Sequence, residues 1–197
     1  MKYSEYRFLI LSDLYRVTQR PGLWPLVRQV WFGDESYCYN FWMRTCSYTQ
    51  SMFWSKYTLY PLAKVMLHRL KYRMGISIPP ATQIGGGFFI GHFGGIVVNG
   101  KAVIGKNCNI SQGVTLGQAN RGRNKGVPVL GDNVYIGPGA KVVGAVTIGN
   151  NVAIGANCVV TTNIPDNAVV VGIPGKVISY GGATGYINNT DYDDRGV

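Results

Sequence analysis

A mainly β chain, with a parallel β-helix preceded by an α-helical region, is the fold that the sequence predicts, and three observations predict it. From about residue 76 branched aliphatics recur every six residues, and most are followed by Gly or another small residue. Residues 1–75 lack that period and are dense instead in Trp, Tyr, Phe and Leu with basic residues between them. The division expected is therefore an α-helical region over 1–75, a β-helix over 76–180 and a flexible tail over 181–197, since the tail's Gly-Gly, Asn-Asn and Asp-Tyr-Asp-Asp show no packing pattern.

Within the first region, Leu62, Val65, Met66, the Arg69 stem and Leu70 have helical spacing, with Lys64, His68 and Lys71 displaced from them. Short helices are expected, broken near Pro21, Pro25 and Pro61. Aromatic stripes at this spacing usually pack in a core or against a neighbouring subunit. The same mixture of rings and cations also suits peripheral contact with a membrane.

In the second region the aliphatics fall at Ile78, Ile84, Ile90, Ile96, Ile104, Ile110, Leu116, Leu130, Ile136, Val142, Ile148, Ile154 and Val160. Four places down the hexad stand Thr82, Cys108, Val114, Val134, Ala140, Val146, Val152 and Cys158. A period of six suits neither a helix nor an amphipathic strand. It suits a prism in which three hexads make one coil and coils stack at a strand spacing of about 4.8 Å. The aliphatic fills the interior, the Gly permits the corner and the small residue fits where walls converge, so Cys108 and Cys158 are core atoms rather than nucleophiles. Two extra residues between Ile96 and Ile104 make a bulged corner at Asn99-Gly100. The wider gap between Leu116 and Leu130 leaves an extruded loop carrying Arg121, Arg123 and Lys125, and loops on rigid scaffolds often bind.

Composition bounds the function. The 197 residues are 46% hydrophobic and only 14% charged, with a formal net charge of +10, so disorder is excluded for most of the chain and polyanions are the expected partners. No nucleic-acid-binding motif accompanies the charge, so a phosphate-rich cosubstrate or an anionic surface explains it instead. The four cysteines include no CxxC pair, Asp13 interrupts the short apolar run from Phe8 to Leu11, and no stretch of eighteen apolar residues occurs. A cytoplasmic protein with reduced thiols is expected, at most at the inner face of a membrane.

Three stretches carry a resemblance: Ile90-Gly91-His92-Phe93-Gly94-Gly95-Ile96-Val97-Val98-Asn99, Ile110-Ser111-Gln112-Gly113-Val114-Thr115-Leu116-Gly117 and Val171-Gly172-Ile173-Pro174-Gly175-Lys176-Val177-Ile178. Together they resemble the serine-acetyltransferase-like branch of the hexapeptide-repeat acyltransferases, over roughly residues 76–179. That resemblance implies a left-handed coil, a homotrimer, acetyl-CoA as cosubstrate without a metal, and His92 as general base in a direct transfer. It implies cofactor contacts from Gly117, Gln118, Ala119, Gly137, Pro138 and Ala156, with Lys176 near the phosphates and Arg121, Arg123 and Lys125 adding charge. Gln112, one coil on from His92, together with Asn99 and Phe93, is expected beside the acceptor.

The acceptor is read from what the chain lacks. In the serine-acetylating members an acid precedes the His, another lies upstream and an Arg-His pair precedes a Pro in the loop; here those positions hold Gly91, Ser77 and Gly126-Val127. An amino acid needs partners for both its charges on desolvation. The aromatic, basic first region, with its segment Ser36-Tyr37-Cys38-Tyr39-Asn40-Phe41-Trp42-Met43-Arg44, resembles instead the polysaccharide and sugar O-acetyltransferases. That resemblance implies as acceptor a sugar hydroxyl of a capsular, exopolysaccharide or lipopolysaccharide unit, free or lipid-linked, with serine O-acetylation as the alternative and a non-catalytic scaffold as a further one. A β-helix carbonic anhydrase would need three His ligands, and only His68 and His92 exist. A sugar-nucleotide pyrophosphorylase would need a Gly-rich loop before a helix, which is absent.

Overall fold

The computed structural model of the protein describes residues 1–33, 35–195 and 197. Four helices come first: α1 Tyr3–Thr18, α2 Leu23–Phe32, α3 Glu35–Ser51 and α4 Leu59–Met74. The strands that follow are β1 Ile76–Ser77, β2 Gln83–Ile84, β3 Phe89–Ile90, β4 Ile96–Val98, β5 Val103–Ile104, β6 Asn109–Ile110, β7 Thr115–Gly117, β8 Val129–Leu130, β9 Tyr135–Ile136, β10 Lys141–Val143, β11 Thr147–Ile148, β12 Ala153–Ile154, β13 Val159–Val160, β14 Val169–Val171 and β15 Lys176–Ser179. Successive strands visit three sheets in turn, ordered β1-β4-β7-β10-β13, β11-β8-β5-β2 and β15-β14-β12-β9-β6-β3. All pairings are parallel except β14 with β15, so the second region is a three-faced prism closed at its far end by a hairpin.

The period of six sets the register. Ile90 pairs with Ile110 and Ile110 with Ile136, while Ile84 pairs with Ile104 and Ile104 with Leu130. Every hexad aliphatic named above is buried, and so is every small residue four places down. Burial pushes the Cys108 thiol up to about 12, as expected of a core atom and not of a nucleophile.

One corner, between the second and third sheets, repeats Asn107, Asn133, Asn151 and Asn167 in the left-handed conformation, φ 53–60°. Asn tolerates that region best among residues with a Cβ. Their amides also bond between coils, Asn107 Nδ2 donating to Asn133 Oδ1 at 3.0 Å and Asn151 Nδ2 to Asn167 Oδ1 at 2.7 Å.

A solenoid's first coil presents backbone groups that no earlier coil can satisfy. Here α1 and α3 satisfy them. Arg44 donates to the carbonyls of Ile84 and Gly85, both at 2.7 Å, while Arg16 donates to Gly87 at 2.9 Å and Asn40 to Phe88 at 3.0 Å. The amides of Gly87 and Phe88 donate to Ser12 Oγ and Asp13 Oδ1. Asp13 and Arg44 are themselves a buried ion pair, Nε to Oδ2 at 3.1 Å. Burial pushes the Asp13 carboxyl up from its ordinary range, and the Arg44 guanidinium opposes that rise most strongly.

Three details of the helical region differ from the expectation. Pro25 and Pro61 do not break helices; each lies in a first turn, where the missing N–H has no intrahelical partner to lose. The helices α1, α3 and α4 are 16, 17 and 16 residues long rather than short. The buried face of α4 is Ala63, Leu67 and Met74 with Leu70 packed beside them, leaving Leu62 and Val65 about half exposed. The apolar spacing fits both stripes, and docking against α3 selects the one with the small Ala63. Aromatics divide likewise, with Tyr37 and Tyr39 buried while Trp24, Trp31, Phe32, Phe53 and Trp54 are exposed. Among the described residues no helix is long and apolar enough to cross a membrane.

The tail expected to be flexible is docked over its described residues. The Tyr186 ring stacks on Tyr135 at 4.4 Å, and Tyr192 is buried with its hydroxyl donating to Asn107 Oδ1 at 2.7 Å. Asn189 Nδ2 donates to the Arg16 carbonyl, and the Tyr15 hydroxyl to Asp191 Oδ1. Burial above all raises the Tyr192 phenol to about 12. A phenol raised in the folded state contributes stability that is complete below its unfolded value near 10 and is lost as pH climbs through about 12. Tyr192→Phe is expected to lower unfolding free energy by about 1 kcal/mol at pH 8 and to remove most of that alkaline loss. Urea titrations of both proteins at pH 8 and above 10 measure it.

Candidate active site

The corner between the third and first sheets stacks four turns. Gly91–Gly95 lies over Ser111–Gly113, then Gly137–Gly139, then Gly155–Asn157, joined by Gly113 N to Gly94 O at 2.7 Å, Gly139 N to Gln112 O at 2.9 Å and Asn157 N to Pro138 O at 2.8 Å. Gly94, Gln112, Pro138 and Ala156 therefore occupy equivalent places in successive coils along one edge of the prism, and the turn that carries His92 is two residues longer than the one below it. The pairing of Ile90 with Ile110 puts Gln112 in the coil next to His92, at a spacing of about 4.8 Å. Gly137 lies on the same edge, and Phe93, 46% exposed, stands beside His92.

His92 is exposed at this edge. Its neighbour Gly94 has φ 107°, and a Cβ there would meet nothing within 4 Å, so the space in front of the turn is open. Gly95, at φ 65°, brings the turn back toward Gly113. A rigid backbone thus carries an accessible imidazole, the side chain best suited to accept a proton near neutral pH.

The remaining candidates gather elsewhere. Asn99, Gly117, Gln118, Ala119, Arg121, Arg123 and Lys125 lie at the next edge, between the first and second sheets. There the Asn99 amide approaches Gln118 Oε1 at 3.5 Å and Gln118 Nε2 donates to Asn120 Oδ1 at 2.8 Å. The extruded loop is pinned by paired bonds between Ala119 and Gly126 and by Asn124 Nδ2 donating to the Thr161 carbonyl at 2.7 Å. Arg121, Arg123 and Lys125 remain exposed on it. Lys176 opens β15 at the far end of the third sheet, paired with Val171. The two edges are about 20 Å apart along the strand direction, six residues of extended chain.

Two features of the edge were not singled out from the sequence. The Lys141 ammonium, on the first sheet, reaches the Gly113 carbonyl and braces the turn below His92. Arg16 ties the helices to the third sheet through Asn109 Oδ1 at 2.7 Å. A Lys at a strand position and a buried Asn within a hydrophobic repeat are the only sequence signals of either.

Comparison with known proteins decides the kind of repeat. Residues 128–162 match the family described as bacterial transferase hexapeptide (six repeats). Over 123 residues, 62% of this chain and 57% of the relative, the sequence is 46% identical to the serine acetyltransferase of Staphylococcus xylosus. It is 43% identical to that of Synechococcus elongatus over 117 residues, 59% of this chain and 48% of the relative. The chain thus spans about half the length of these curated relatives. Among solved structures, the Brucella abortus serine acetyltransferase in complex with coenzyme A superposes with a TM-score of 0.74 at 27% identity, covering 91% of this chain and 70% of that one. The Neisseria gonorrhoeae serine acetyltransferase in complex with serine gives 0.71 at 28% identity, covering 90% and 70%.

Proposed function

We propose that the protein is an acetyl-CoA-dependent O-acetyltransferase whose acceptor is the hydroxyl of serine, with His92 as the base. This corrects the saccharide acceptor expected from the sequence, because relatives 41–46% identical over the matched segment, and the structural neighbours, are serine acetyltransferases. The observation that carries the reading is the exposed His92 on a rigid edge, with Gln112 in the next coil, within a transferase hexapeptide prism.

In the reaction the His92 imidazole takes the serine hydroxyl proton as the oxygen bonds to the thioester carbon. The carbon–sulfur bond then breaks, and the coenzyme A thiolate leaves with the proton that His92 returns. Transfer is direct, with no acyl-enzyme. One coenzyme A cannot follow both edges of a single prism. It lies in a groove between two copies, the His92 edge of one facing the Gln118–Lys125 loop of the next, in a left-handed, trimeric assembly. Pro138 and Ala156 line the pantetheine arm, while Arg121, Arg123, Lys125 and Lys176 meet phosphates.

With Gly91 and Ser77 in place of acids, serine's ammonium has no carboxylate at those positions, so the KM for serine is expected at or above about 1 mM, the upper end of the usual range. The test is thiol release from acetyl-CoA with serine, threonine and a panel of saccharides as acceptors. Release stimulated by serine above all others supports the reading. Stimulation by a saccharide alone, or by no acceptor, sinks it.

A further inference from the structure

The helix α2 is turned inside out relative to an ordinary surface helix. None of its residues is buried. Its half-buried side carries Leu26, Gln29 and Val30, whereas its outward stripe is Leu23, Trp24, Val27, Trp31 and Phe32, with Trp24 at 76% and Phe32 at 87% exposure. Soluble helices place charge on that face. Both ends are glycines, Gly22 and Gly33, without a side-chain cap, so ten residues of marginal helix hold out their largest apolar groups to water.

Beside the stripe runs a groove of about 570 Å³, lined by Trp24 and Phe32 together with the guanidinium-bearing Arg20 and Arg28. No Asp or Glu occurs from Leu14 to Gly33. A second copy docking on this face by symmetry would set arginine against arginine, so charge complementarity points to an anionic occupant with an apolar interior. Trp and Arg at the edge of an apolar stripe are the residues that sit well at a headgroup boundary.

We propose that α2 is a peripheral membrane-docking helix for bilayers rich in anionic phospholipid. Leu23, Val27, Trp31 and Phe32 enter the boundary between headgroups and acyl chains, and Arg20 and Arg28 hold lipid phosphates in the groove. The surface lies outside the acetyl-transfer edge, so docking and catalysis are separately measurable.

The experiment is co-sedimentation of the full chain with vesicles of phosphatidylcholine alone and of phosphatidylcholine with phosphatidylglycerol, at low and high salt. The expected result is binding to the anionic vesicles that weakens with salt, falls about thirty-fold in Arg20→Gln/Arg28→Gln and is lost in Trp24→Ser/Phe32→Ser. Far-ultraviolet circular dichroism and thiol release with serine, both unchanged in the variants, show that they still fold. Equal binding to neutral vesicles, no binding, or binding indifferent to all four substitutions would overturn the proposal. So would concentration-dependent self-association of the parent that disappears in Trp24→Ser/Phe32→Ser.

Discussion

His92→Ala is expected to lower kcat/KM for serine acetylation by about 10²–10⁴-fold, the range that a positioned general base contributes. The loss should fall on kcat with little change in the KM for acetyl-CoA, because the cosubstrate's proposed contacts lie on Pro138, Ala156 and the loop cations. Stability should be almost untouched, since His92 is exposed and among the described residues the turn is held by backbone bonds such as Gly113 N to Gly94 O. Steady-state kinetics and a urea titration on the same preparation separate the two. A variant that lost activity through misfolding would show a shifted midpoint, and one that kept full activity would remove His92 from the chemistry. Gln112→Ala offers a graded companion, with a smaller loss if its amide only orients the imidazole or the acceptor.

The largest expected effect on stability belongs to Arg44. Its guanidinium makes four bonds, two to Asp13 and two to the first coil's carbonyls at Ile84 and Gly85, while both partners of the ion pair are almost fully buried. Arg44→Ala strands the Asp13 carboxylate and leaves both carbonyls without that donor, which should cost about 3–5 kcal/mol. The deficit should narrow at acid pH. Burial already raises the Asp13 carboxyl, and without Arg44 it rises further, so stability in the variant is retained at low pH and lost as pH climbs past the group's unfolded value. The double variant Asp13→Leu/Arg44→Met should recover part of the loss, because the buried charge is gone, but not the two carbonyl bonds. Urea midpoints from pH 4 to 8 measure all three proteins.

The prism was legible in the sequence because a β-helix gives each hexad position one environment, so Ile90, Ile110 and Ile136 repeat where the structure stacks them. The helical region was legible only as helical. Its buried faces depend on docking, and in α4 two apolar stripes fitted the spacing equally well until Ala63 and Leu67 met α3. Nothing local marks Asp13, Arg16 and Arg44 as the plug of the first coil, since their partners lie 31–93 residues away in the chain. The tail failed for the same reason. Tyr186 and Tyr192 look isolated among Gly, Asn and Asp; Tyr186 finds its stacking partner in Tyr135, and the buried Tyr192 its hydrogen bond in Asn107, both far upstream.

Of the candidate site, one edge could be read from the repeat, because a coil of twenty residues counted from His92 lands on Gln112; the two extra residues expected at Asn99-Gly100 lie in the His92 turn instead, since Ile90 pairs with Ile110 but Val98 with Leu116. That the loop cations occupy a different edge could not be read without knowing where the corners fall. The acceptor could not be read from the absent charges, because a lost ion pair reports how an acceptor is held and not which acceptor it is. Gly91 and Ser77 change how serine would be held, while the relatives that share the repeat are named for serine.

Identifying the product is the most direct test of serine acetylation by His92. The purified protein, incubated with acetyl-CoA and serine and analysed by mass spectrometry, is predicted to yield serine carrying one acetyl group on its side-chain oxygen, formed in step with free coenzyme A and absent with His92→Ala. Coenzyme A released without acetylated serine, or acetylserine formed equally well by the His92→Ala protein, would contradict it.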